Sequence, residues 1–290
     1  MKCIRFTKYW RSLSVEDMAK RACDLGYDGL DFVVRDGFPV TPATVEPTLG
    51  PAIKIIEDNG LSCPLLTGDV TLIDPWAPGV ERLFAAASDS GVPMIKLGYF
   101  VYRPGDDFDA VWSRARAALE GFAGMAERHN VKAVYHTHNG FCLGSTAAGL
   151  RHLLDGFDPD HLGAYVDPGH LAVNGEDMSI ALPMLRRKLA VLAAKDAHHV
   201  LDRRPGAHPA YHDAFVEVGR GRADWVQTLA LLASWRWDGP ISVHTEYTDD
   251  ANIIATVGGR DDSQTAGARR DQGERTDLQQ LRAWKASAMS

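Results

Sequence analysis

The chain is short of cysteine, of long apolar runs and of positive charge, and each shortage removes a class of protein. Its 290 residues include only four cysteines, Cys3, Cys23, Cys63 and Cys142. No CxxC pair or other short spacing joins them, which excludes a zinc ribbon or a disulfide framework and leaves reduced, packed thiols. No apolar stretch reaches the roughly 18 to 20 residues of a bilayer span. The opening Met1-Lys2-Cys3-Ile4-Arg5 also lacks the apolar core of a signal peptide. A cytoplasmic chain without a membrane partner is therefore expected. The formal charge of -7 argues against nucleic acid as a partner. Glycine-rich phosphate turns are missing as well: no GxGxxG follows the first strand-like run and no GxxxxGK[ST] occurs.

What the chain does have is alternation. With 45% apolar residues it can bury a substantial core. Strand-like runs at 2–6, 27–34, 61–66, 92–100, 131–135, 162–167, 189–196 and 240–243 each precede a helical pattern. Ser14, with Asp17 three residues on, predicts an N-cap, and Gly26 predicts the end of that first helix. Parallel neighbours need crossovers, so eight strand-then-helix units predict a single (β/α)8 TIM barrel over 1–290, with long loops at 197–222 and 248–275.

Four of these runs finish on polar side chains. One leads into Tyr135-His136-Thr137-His138, another into Asp167-Pro168-Gly169-His170, a third into Lys195-Asp196 and the last into His244-Thr245-Glu246. In a parallel α/β fold the C-terminal strand ends are where chemistry is done. Mixed nitrogen and oxygen donors such as His136, Asp167 and Glu246 suit a divalent cation: Mn, Mg, Co, Fe or Zn. His138, His170 and His244 are expected beside them as substrate contacts or orienting groups. Lys96 and Lys195 are expected either to bind substrate oxygens or to pair with a rim acid such as Asp196. His198 or His199, just past the seventh strand, could complete a metal site. Tyr9, Trp10, Tyr99 and Phe100 follow strands one and four and could offer aromatic faces to a sugar or simply cap the core.

These segments, together with Val218-Gly219-Arg220-Gly221-Arg222-Ala223-Asp224-Trp225 and Gly239-Pro240-Ile241-Ser242-Val243-His244-Thr245-Glu246-Tyr247, resemble the xylose isomerase-like TIM-barrel superfamily of sugar isomerases and epimerases. The resemblance implies a metal held by Glu, Asp, His and Glu from strands five to eight, with the two glutamates moving protons through an enediolate. Asp167 and Glu246 match the second and fourth ligands. The first position is His136, resembling the His-x-His turn of inosose dehydratase-like members, and the third is Ala193. Related apurinic-site endonucleases need more His and acidic ligands and a basic face that this acidic chain does not offer.

The resemblance thus implies a divalent-metal-dependent isomerase or epimerase acting on a sugar, keto-sugar or cyclitol. The alternatives are a metal-dependent lyase, of inosose dehydratase-like or carbon-glycoside-cleaving type, and a metal-free, non-catalytic barrel. Expected catalytic residues are His136, Glu246 and Lys195, and expected metal ligands His136, Asp167, Glu246 and His198. Expected substrate contacts are His138, Lys96, His170, His244, Arg222 and Trp10. A homo-oligomer stays open.

Overall fold

The computed structural model describes residues 1–202, 208, 210–248 and 263–289. Strands β1 (Cys3–Phe6), β2 (Gly29–Val33), β3 (Ser62–Thr67), β4 (Met94–Lys96), β5 (Lys132–His136), β6 (Leu162–Val166), β7 (Leu189–Ala194) and β10 (Ile241–Val243) close into a barrel. Every neighbouring pair is parallel, and β10 against β1 seals the circle. Closure leaves no barrel strand with an open edge.

Helices α1 (Val15–Leu25), α2 (Val45–Asp58), α3 (Val80–Asp89), α4 (Phe108–His129), α5 (Ala147–Leu153), α7 (Met178–Leu185) and α8 (Trp225–Ser234) accompany the strands. Local chemistry sets their ends. The Ser14 hydroxyl accepts the Asp17 amide at the start of α1, and Gly26, at φ 88°, ends it with its amide on the Ala22 and Cys23 carbonyls. On α1 the buried Val15, Met18, Ala19 and Ala22 make one apolar stripe that faces the barrel. Asp107 and Asn130, the latter at φ 51°, bound α4 in the same way.

Strand alternation divides the core into two parts. Residues pointing out pack beneath the helices, which contribute Phe84, Phe122 and Trp225 to the same cluster. Inside the barrel a small apolar plug of Leu65, Val134, Tyr165, Val191 and Ala193 fills the interior. The C-terminal helix, Ser263–Met289, is tied to the barrel wall through Glu274. Its carboxylate accepts Arg5 Nη2 at 2.7 Å, Arg21 Nη2 at 2.9 Å and the Trp10 indole at 3.2 Å.

Three features depart from expectation. The segment 197–222, predicted as a loop, contains an antiparallel hairpin, β8 (Asp196–Asp202) with β9 (Ala210–Val216). β9 carries the β-favouring Tyr211, Phe215 and Val216 and β8 carries Val200, and the sequence between them includes Pro205-Gly206, a turn signal. Asp167 is the N-cap of a short helix, α6 (Pro168–Val173), which the sequence pattern did not indicate. The C-terminal helix begins at Ser263, inside the predicted loop 248–275, of which residues 249–262 lie outside the described residues. Among the described residues, no helix is long and apolar enough to cross a membrane.

Candidate active site

The C-terminal strand ends bring His136, His138, Asp167, His170, Lys195, His244 and Glu246 together in a polar mouth, with Lys96 buried at the end of β4. Asp167 is wholly buried. Its Oδ1 caps α6 by accepting the His170 amide at 3.1 Å, and its own amide donates to Thr137 Oγ1 at 2.7 Å. That leaves Oδ2 without a hydrogen bond, 3.3 Å from His136 Nε2 and 3.7 Å from His170 Nε2. His136 Nε2 is likewise unpartnered, while its Nδ1 lies 2.8 Å from the Tyr99 hydroxyl. Burial pushes the Asp167 carboxyl above its usual range, partly offset by Lys195. Burial and the nearby Lys96 hold His136 well below an ordinary imidazole, so it is neutral at pH 7.

Glu246 has both oxygens engaged by cations. One meets the Lys8 ammonium, and Oε2 accepts Lys195 Nζ at 2.5 Å. Burial alone would raise this carboxyl, but Lys195 and then Lys8 outweigh it and hold it well below the carboxylate range. Lys195 also lies 3.1 Å from His170 Nε2 and 4.1 Å from the centre of the Phe215 ring. Phe215 belongs to the hairpin, which is pinned over the mouth by Asn139 Nδ2 on Asp213 and by paired Phe215 and Thr248 hydrogen bonds. Lys195 therefore pairs with Glu246 and not with its neighbour Asp196. Successive strand residues point to opposite faces, and the Asp196 carboxylate turns away to accept the amides of Ala197, Gly219, Gly221 and Ala223.

Beneath the mouth lies a buried network in which only His244 belongs to the sequence-based site. The Asp31 carboxylate accepts Thr67 Oγ1 at 2.5 Å, Ser242 Oγ at 2.8 Å and the Tyr165 hydroxyl at 2.9 Å. Tyr165 has one proton to give, and it serves Asp31. His244 Nε2, 2.7 Å away, is then the donor to the phenolic oxygen, and its bare Nδ1 faces Glu246 Oε2 at 3.9 Å. Only one sequence cue marks this network: a carboxylate in the middle of the apolar run Gly29-Leu30-Asp31-Phe32-Val33. Lys8, one residue beyond the start of the turn after β1, carried no sequence signal.

Other expected residues stand elsewhere. Trp10 is buried against Arg5 and Arg21, at 5.0 and 5.2 Å from its ring centre, and its indole N–H is used on Glu274. Arg222 is exposed, with its backbone amide on the Ala197 carbonyl. His198 sits on β8 opposite Ala214.

The expected divalent cation does not fit this donor set. Among the described residues, no group of three or more His, Cys, Asp or Glu side chains is arranged to hold a metal ion. The third-ligand position is Ala193, whose methyl packs in the apolar plug, and Glu246 already has a cation on each oxygen.

A closed parallel barrel with its polar side chains at the C-terminal strand ends is a protein of the (β/α)8 class. Within that class the chain belongs to the xylose isomerase-like TIM-barrel family, whose family model matches residues 19–272. Inosose dehydratase of Lacticaseibacillus casei is 26% identical over 144 residues, 48% of this chain and 48% of that protein. The chain thus matches about half the length of its curated relatives. D-psicose 3-epimerase from Clostridium cellulolyticum H10, solved with D-tagatose, superposes with a TM-score of 0.70 at 16% identity, covering 98% of this chain and 99% of that one. A xylose isomerase-like barrel from Mycobacterium smegmatis, solved with magnesium, gives 0.69 at 13% identity, covering 100% and 98%. At such identities these likenesses concern the fold.

Proposed function

We propose that the mouth is the active site of an enzyme that moves a proton on a carbon next to a carbonyl group, in a sugar, keto-sugar or cyclitol. One observation carries this reading: Asp167 Oδ2 and His136 Nε2 face each other at 3.3 Å, both buried and both without a hydrogen bond. Buried polar atoms are normally paired, so two bare ones aimed at one space await a ligand. A carboxyl raised by burial beside a neutral imidazole is also suited to exchanging a proton.

In this scheme the His136 and Asp167 pair takes the proton from carbon and returns it to the neighbouring carbon or to the other face. Lys195 donates a hydrogen bond to the carbonyl oxygen. Glu246 braces Lys195 and Lys8, and His138 and His170 contact hydroxyls. No step passes through a metal ion, because the donors do not fit one. Phe215 and the hairpin keep bulk water from the exchanging proton.

The sugar-epimerase neighbours and the family membership support isomerisation or epimerisation as the outcome. The match to inosose dehydratase favours a second outcome, in which the same carbanion expels a β-hydroxyl as water. The test is proton NMR in D2O with a panel of ketoses, keto-sugars and inososes. Deuterium should enter at the carbon next to the carbonyl, and an enone absorbance would identify elimination. Asp167→Asn should lower the exchange by roughly 100-fold to 10,000-fold, the usual range for loss of acid–base catalysis, with the far-UV spectrum unchanged. Unaltered exchange in Asp167→Asn would refute the assignment.

A further inference from the structure

In metal-dependent members of the family, as the resemblance describes them, a divalent ion would neutralise the oxyanion that forms when the proton leaves carbon. This chain carries a positive charge of its own at that place. Lys195 Nζ is anchored at 2.5 Å by Glu246 Oε2, lies 3.1 Å from His170 Nε2, and is roofed by the Phe215 ring at 4.1 Å. Its side chain is 5% exposed, so the ammonium is both fixed and largely dry. His170 Nε2 in turn lies 3.7 Å from Asp167 Oδ2, so a chain of contacts runs from Glu246 through Lys195 and His170 to Asp167.

Three further features agree. Ala193, where the resemblance expects the third ligand, offers a methyl group that packs with Leu65, Val134, Tyr165 and Val191. Lys8 takes the other oxygen of Glu246, so a dication there would displace two ammonium groups from one carboxylate. Gly169 lets the start of α6 run close to Lys195, since a Cβ there would stand 3.0 Å from both Lys195 Cγ and the Lys195 carbonyl carbon. The backbone is thus shaped around the lysine stem.

We propose that Lys195 is the built-in electrophile of this site and that it replaces a divalent cation. The inference rests on the proton-transfer reading above. As the carbon–hydrogen bond breaks, its proton goes to the His136 and Asp167 pair and its electrons form the carbon–carbon double bond. The carbonyl π electrons move onto oxygen, where a Lys195 N–H stabilises the charge without leaving nitrogen. Reprotonation on carbon reverses the flow, so neither oxidant nor reductant is needed. A preorganised donor in a water-poor site is the arrangement that stabilises such an oxyanion.

The test uses the full chain purified without chelator. Elemental analysis, followed by calorimetric titration and thermal melts with Mn2+, Mg2+, Co2+ and Zn2+, should find substoichiometric metal and no saturable binding. A bound ligand at about 100 times its Kd would raise the melting temperature measurably. One ion retained per chain, and lost in Asp167→Asn, would overturn the proposal whatever the substrate is. With an exchanging substrate in hand, EDTA should leave the rate unchanged. Lys195→Gln should lower it by roughly 100-fold to 1,000-fold, the usual cost of removing an oxyanion donor. Exchange abolished by EDTA and restored by Mn2+ would also overturn it. If no carbonyl compound exchanges at all, the functional reading fails, while the metal titration still decides whether lysine stands in the cation's place.

Discussion

Lys96 offers the sharpest test of the electrostatics in this barrel. Its side chain is 3% exposed, and burial first, then the Arg35 charge, pushes its pKa from 10.5 to about 7. A lysine whose folded pKa is depressed releases its proton in the native state while the unfolded chain still holds it. Between about pH 7 and 10.5 the unfolded state therefore binds one more proton, and stability should rise with pH by about 1.4 kcal/mol per unit. Below pH 7 both states are protonated and the penalty is complete, about 5 kcal/mol from the shift of 10.5 minus 7. Replacing Lys96 with Met keeps the stem and removes the charge. Two favourable contacts vanish with it: the Tyr99 ring 4.4 Å from the ammonium and the Leu97 carbonyl at 3.2 Å, together worth about 2 to 3 kcal/mol. The net expectation at pH 6 is that Lys96→Met is more stable by about 2 kcal/mol. The advantage should shrink above pH 7 by about 1.4 kcal/mol per unit, because the folded amine is then neutral while the unfolded one, with its pKa at 10.5, is still protonated. Urea melts at half-unit steps from pH 6 to 9.5 would measure this, with shared alkaline effects cancelling in the difference. Parallel wild-type and variant profiles would refute the reasoning, because they would mean Lys96 titrates alike folded and unfolded.

Two other perturbations probe how the barrel is held. Glu274→Ala should cost about 3 to 5 kcal/mol, since Arg5, wholly buried, would lose its carboxylate. The double variant Arg5→Met, Glu274→Leu should recover most of that in chemical denaturation, and a strictly additive double variant would show that the pair is not coupled. Gly221→Ala would drive a Cβ into Asp196 Oδ1 and the Ala197 amide, breaking the ring of backbone donors on that carboxylate. A loss of about 1 to 3 kcal/mol is expected in the same assay, and a neutral result would mean the loop relaxes freely.

The barrel was legible because it rests on repetition and on local chemistry. Each strand-then-helix unit carries its own stripe of apolar residues, and each helix end its own cap, as Ser14 and Gly26 do for α1. The strand-end residues His136, Asp167, Lys195 and Glu246 were legible for the same reason, since parallel closure sends every such end to one rim. The hairpin was not, because its two arms of seven residues stabilise each other only through a pairing that spans the intervening segment. Lys195 looked equally well matched to Asp196 or to a substrate; strand alternation and the backbone amides around Asp196 settled its partner as Glu246.

By itself, the order of residues determined the parallel eightfold barrel and that His136, Asp167 and Glu246 end at its rim, since periodicity and capping act over a few neighbouring positions. Only the folded molecule decided how those side chains are used: Trp10 and Arg5 against Glu274, Tyr165 between Asp31 and His244, and two lysines on Glu246. These pairings join residues from distant stretches of chain, and their energies depend on burial and on which partner lies within hydrogen-bond reach. Neither quantity exists until the barrel has closed.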